Sequence, residues 1–138
     1  MKLLTILSIL AVSTILVGTA CKKQAIVREP ENPAVLREVQ YGIYTSKDFS
    51  TNNNNIVFTL IIANSSNQNI WDSVLAPMKI KDIPDLAHKI VIEKSILAHA
   101  NSLLKVGVYY SIENTGNASH VDNFNGGEIF KTFDFNFQ

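Results

Sequence analysis

Seryl hydroxyls, imidazoles and carboxylates are the groups in this chain that could do chemistry, and their spacing decides whether they do. Acyl transfer needs a nucleophile, a base within hydrogen-bond reach and a third group that orients the base. Ser73, Ser95 and Ser111 are the candidate nucleophiles, and none lies in a Gly-x-Ser-x-Gly elbow. The three histidines, His88, His99 and His120, each stand apart from a second ligand or base at any motif spacing. A three-histidine zinc site needs its ligands only to meet in space, and nothing in this spacing argues for one. Asp82 with Asp85, and Asp122 with Asn123 and Asn125, supply the oxygen atoms that suit a hard cation such as calcium, without an EF-hand pattern. The same residue types form turns and caps. Gly126-Gly127 follows no strand-to-helix phosphate pattern and reads as a turn. Tyr44, Trp71, Tyr109 and Phe130 fall on strand faces opposite the expected core. Rings placed there would suit a ligand face for protein or sugar, with cross-strand packing as the competing reading. No catalytic constellation is present, so a non-enzymatic role without a cofactor is expected.

Cys21 carries a different chemistry. It is the only cysteine, which excludes an intramolecular disulfide and any multi-cysteine zinc site. Before it, Lys2 is followed by an apolar run, Leu3 to Val17, of fifteen residues. A spanning helix needs roughly 20. A charged start, a short apolar core and small residues at a cleavage point describe a secretory signal peptide. The segment Val17-Gly18-Thr19-Ala20-Cys21 resembles the bacterial lipoprotein lipobox, with the aliphatic residue one place further out than usual because Gly18 occupies its slot. That resemblance covers the first 21 residues and implies residues 1–20 as signal peptide. It also implies cleavage before Cys21, a diacylglycerol on its thiol and an acyl group such as palmitate on the new amino terminus. Two chains supply the two signals that stable anchoring requires. In enterobacteria an Asp after the Cys retains a lipoprotein at the inner membrane, and here that place holds Lys22. The acidic cluster of surface-exposed Bacteroidota lipoproteins is replaced by Lys22-Lys23-Gln24. The outer membrane, periplasmic face, is therefore the expected address.

The remaining chain must supply the body. The formal charge is zero, twelve Lys and Arg against twelve Asp and Glu, which leaves no electrostatic footprint for nucleic acid. At 46% hydrophobic residues the chain is too apolar for disorder, and 138 residues allow one small domain. Residues 21–35 read as the lipidated Cys and a wet tether broken by Pro30, Asn32 and Pro33. Residues 36–138 read as the domain. Val39, Tyr41 and Ile43 alternate with Gln40, Gly42 and Tyr44, the period of a half-buried strand. Ser46 to Asn55 read as a loop, and Ile56 to Ala63 as a central strand covered on both faces. Ile70 to Leu75 suits a strand with Ile70 and Trp71 on opposite faces. Pro77 marks an edge or break, and Met78 to Ile83 can resume pairing. Between 84 and 98 a strand at Lys89–Lys94 is favoured over a helix through Ala98, and a helical turn at Pro84–Ala87 is compatible with either. Leu104, Val106, Val108, Tyr110 and Ile112 form the clearest single face. Glu113 to Gly127 reads as a long polar loop, and Ile129, Lys131, Phe133, Phe135 and Phe137 share the face of a last strand. About six or seven strands at such intervals make an all-β domain, a two-sheet β-sandwich of immunoglobulin-like or transthyretin-like shape. A membrane barrel is disfavoured because Ile56–Ala63 is apolar on both sides.

Trp71-Asp72-Ser73, Ala76-Pro77-Met78-Lys79-Ile80, Ile83-Pro84-Asp85 and Asp134-Phe135-Asn136-Phe137 resemble small lipoproteins of Bacteroidota, which bears on location and not on activity. Asn117-Ala118-Ser119 matches a glycosylation sequon that a bacterial lipoprotein would not have modified. The leading expectation is a membrane-anchored envelope lipoprotein, an interaction or structural module whose partner is the membrane through its lipid and an envelope protein or glycan. A glycan- or calcium-binding module of nutrient capture is the alternative. A hydrolase built on sandwich loops ranks third and requires the histidines to converge.

Overall fold

The computed structural model describes residues 33–138; the expected signal segment, Cys21 and the expected tether up to residue 32 lie outside the described residues. Eight strands form two sheets. The smaller sheet has the order β5-β1-β8, with β1 (Ala34–Thr45) in its centre, β5 (Ile90–His99) antiparallel and β8 (Phe130–Phe137) parallel to it. The larger has the order β3-β2-β6-β7, built from β2 (Asn55–Asn64), β3 (Asn69–Val74), β6 (Leu104–Ile112) and β7 (Gly116–Phe124). The two-residue β4 (Met78–Lys79) continues the β3 side of β2 after the break at Pro77.

Alternation builds the interior. Val39, Tyr41 and Ile43 of β1 and Phe133, Phe135 and Phe137 of β8 meet Ile56, Phe58, Leu60 and Ile62 of β2 and Leu104, Val106 and Val108 of β6 in one buried cluster. Period-two patterning places these side chains on one face of each strand, so a single core between two sheets follows. Phe58 touches Phe135 and Phe137 edge-on across the two sheets, with ring centroids 6.2 and 6.3 Å apart. The Tyr41 hydroxyl donates to the Ile61 carbonyl at 2.6 Å, and burial pushes its pKa up. On the outward side of β2, Ile61 and Ala63 are buried as well, which fits the doubly apolar run. Ile61 lies level with Gly107, over which a methyl of Val121 leans.

The ambiguous stretch resolves as a strand through His99, preceded by 3-10 turns at Ile80–Asp82 and Leu86–His88. Asp85 caps the second turn, its side chain accepting from the His88 amide at 3.0 Å. Glu113 to Gly127 is the clear correction. It is not a loop: Gly116–Phe124 pairs antiparallel with β6 along its length. Every residue of β7 but Phe124 is exposed, so no burial pattern marked it. Its pairing comes from backbone hydrogen bonds to an edge. The strand count is therefore eight, above the six or seven expected.

Arg37 falls in phase with Val39 and Tyr41 and is 0% exposed. Its Nε donates to the Glu128 carbonyl at 2.9 Å, one terminal nitrogen to the Ser102 carbonyl at 2.7 Å, and the other to those of Phe124 (3.2 Å) and Asn125 (2.6 Å). The guanidinium also stacks 3.9 Å from the Phe124 ring centroid. Burial lowers its pKa, against a raising influence from the Glu128 carboxylate. One charged fork thus ties the loops 100–103 and 125–128 to the start of β1.

Candidate functional site

The outward face of the larger sheet holds a shallow groove of about 480 Å³. Strand register sets its floor. Val57, Ser111 and Asn117 stand in one row across β2, β6 and β7, and Thr59, Tyr109 and Ser119 in the next. All six line the groove, with Ala118 and Tyr110 completing it. The alternation that sends Val106, Val108 and Tyr110 inward sends Tyr109 outward, where it is exposed. A phenol ring flanked by hydroxyls and an amide offers stacking area and neutral donors and acceptors. No carboxylate, imidazole, amine or thiol lines it; its polar groups are phenol, hydroxyl and amide.

The four expected ligand-face aromatics do not come together. Only Tyr109 belongs to the groove. Trp71 corrects its expected orientation: its register partner is the buried Ile62, and it packs against the core beside Tyr41, ring centroids 6.1 Å apart. The continuous register of Leu60 with Ser73 and Ile62 with Trp71 fixes that facing. Lys94 reaches over the same indole, 5.4 Å from its centroid. Tyr44 and Phe130 share the outward face of the smaller sheet, opposite Asn136 and Glu38 respectively. Their positions along the sheet differ by six residues, about 20 Å. Ser111 stood out in the sequence only as a candidate nucleophile and Asn117 and Ser119 only as a sequon; their meeting beside Thr59 carried no sequence signal, because it depends on β7 being a strand.

The histidines stay apart. His88 precedes β5 and His99 ends it, a separation on the order of 35 Å along an extended strand. His120 sits on β7 of the other sheet, its ring against Phe133 and Phe135 and its Nε2 3.8 Å from Asp122. His88 Nδ1 pairs with Asp85 at 2.8 Å, and that hydrogen bond holds the Asp85 carboxyl below its usual range. Asp122 also faces Lys131 at 3.8 Å. Among the described residues no group of three or more His, Cys, Asp or Glu could hold a metal ion. Nor does any helix among them have the length and apolarity to cross a membrane. A second, more polar hollow of about 470 Å³ lies at the sandwich end holding Thr45–Ser50, Lys81 and Asp85.

No protein-family model, curated protein or solved structure matches this chain.

Proposed function

We propose that this chain is an envelope lipoprotein, a β-sandwich tethered through acylated Cys21 to the periplasmic face of the outer membrane, that works by binding and not by turnover. The observation that carries this reading is the order of features along the sequence. A charged start, a fifteen-residue apolar run, small residues and the sole cysteine come first, then a Pro-broken polar tether, then a body of strands. The dispersal of the histidines and the neutral lining of the groove support binding over catalysis. Metabolic labelling with an alkyne fatty acid tests the anchor. The unaltered chain should incorporate label and Cys21→Ala should not; equal labelling of both refutes it.

The alternative, a glycan-binding module of nutrient capture, gains support from one feature, the Tyr109 groove. Thr59, Ser111, Asn117 and Ser119 surround an exposed ring with the hydroxyl and amide groups that pair with sugar hydroxyls. Titration against a panel of soluble glycans would show heat for the unaltered chain and none for Tyr109→Ala. Silence of the unaltered chain across the panel removes this reading.

A further inference from the structure

We infer that the end of the sandwich where the tether enters carries an apolar collar that docks on the bilayer surface. This inference rests on the lipid anchor proposed above and adds a second, non-covalent contact. Leu36 and Leu97 are register partners on the outward face of the smaller sheet, 66% and 71% exposed. Phe130 is exposed on the neighbouring strand opposite Glu38, diagonal to Leu36 and within reach of it. Ile129, one residue earlier, is 67% exposed. Beyond Leu97 the apolar surface continues over the edge into a hollow of about 350 Å³ that includes the exposed Leu103 and Ile70. Six large apolar side chains thus gather at one end of the domain.

That end is the one at which the chain enters the sandwich. β1 begins at Ala34, two residues before Leu36, and Ala34 pairs with His99 at the far end of β5. The Arg37 fork ties the loops 100–103 and 125–128 to the same end. Twelve residues, 22–33, separate Cys21 from Ala34. A chain of that length spans at most about 45 Å, so the acyl chains hold the collar at high local concentration over the headgroups. The opposite end is more polar, lined by Ser46, Lys47, Asp48, Lys81 and Asp85, with Leu86 and, at the start of β5, Val91 as its exposed large apolar residues. An apolar end beside the lipid and a polar end away from it fix the orientation of the domain on the membrane. Monomeric proteins seldom leave such a patch to water without a use for it.

The test uses the full, lipidated chain carrying Leu97→Cys and an environment-sensitive fluorophore, since acylation blocks Cys21. Lys47→Cys at the polar end is the control. The probe is a vesicle of phosphatidylethanolamine with a minor share of phosphatidylglycerol. Expected are a blue shift of emission at position 97, quenching there by lipids spin-labelled in the acyl chain, and neither at position 47. Leu36→Glu, an exposed position, should abolish the shift while leaving flotation with vesicles intact. Chains that float while position 97 stays as wet as position 47 overturn the collar and leave the anchor standing. A shift that grows with protein density and resists the lipid quenchers overturns it in favour of a second copy. If the chain proves unacylated, a lipid-quenched shift with added vesicles sustains the collar alone, and no shift ends both readings.

Discussion

Arg37→Met should be the most damaging single change in the described domain. The guanidinium serves four main-chain carbonyls, those of Ser102, Phe124, Asn125 and Glu128, and stacks on Phe124. Hydrogen bonds to a charged group contribute about 1.5–3 kcal/mol each, so simple addition would suggest roughly 6–12 kcal/mol. That sum overshoots, because burying the charge costs several kcal/mol and the freed carbonyls can partly recruit water. A net loss of about 3–5 kcal/mol is expected, because carbonyls left without a donor cost about 1–3 kcal/mol each and only some of the four regain water. Small domains have about 5–15 kcal/mol in total. At about 4–8 °C per kcal/mol, the midpoint should fall on the order of 15–30 °C. Arg37→Lys should recover less than half of the loss, because one ammonium cannot reproduce the planar fork. Urea unfolding followed by the single Trp71, half-buried against Tyr41, gives the readout. Amide exchange should locate the first openings in the loops 100–103 and 125–128. Lys81→Met, at an exposed position, serves as control and should stay within about 0.5 kcal/mol. A loss below about 1 kcal/mol for Arg37→Met, or exchange that rises evenly over both sheets, would refute the idea that this residue staples the tether end.

The other expectations follow from single contacts. Burial raises the Tyr41 pKa, so the neutral phenol is favoured in the fold. Its contribution is complete below the unfolded value near 10 and is lost as pH rises beyond it. Tyr41→Phe should cost about 1 kcal/mol at neutral pH and flatten that alkaline decline, as thermal melts across pH would reveal. A methyl at Gly107 would meet the His120 carbonyl at 2.5 Å and Val121 at 2.9 Å. Gly107→Ala should therefore cost about 1–3 kcal/mol and weaken exchange protection along β7; a neutral effect would mean that the β6-β7 pairing yields easily. Tyr109→Ala should leave the melting midpoint nearly unchanged, a shift within about 0.5 kcal/mol, since the ring packs outward. A large destabilisation would turn the groove into a packing feature.

Burial decided how much of this molecule could be read from its sequence. Leu104 to Ile112 and the closing Phe133, Phe135 and Phe137 were legible because alternating apolar residues have one way to share a core. The Asn-rich loop before β2 was legible through side chains that serve their own backbone, as Asn52 does for the Asn54 amide at 3.0 Å. β7 was not legible, because an edge strand open on both faces is specified by its neighbour's free carbonyls and amides. The Tyr109 groove was hidden with it, since two of its walls stand on that strand. Arg37 left a faint signal, its phase with Val39, Tyr41 and Ile43. A charge at that phase announces either a strand end or a buried fork, and only the carbonyls it reaches from residues 102 to 128 tell the two apart. Trp71 faces inward because its strand pairs in continuous register with Leu60 and Ile62, and the alternation of β3 alone does not say which of its two faces meets the core.

The proposed lipid on Cys21 is the point on which the biology turns, and intact-mass measurement of the chain recovered from membranes tests it directly. The expected result is a mature polypeptide beginning at Cys21, heavier than its residues by a diacylglycerol and a further acyl group, and present in the outer-membrane fraction. A chain of unmodified residue mass, recovered from the aqueous fraction, would contradict it.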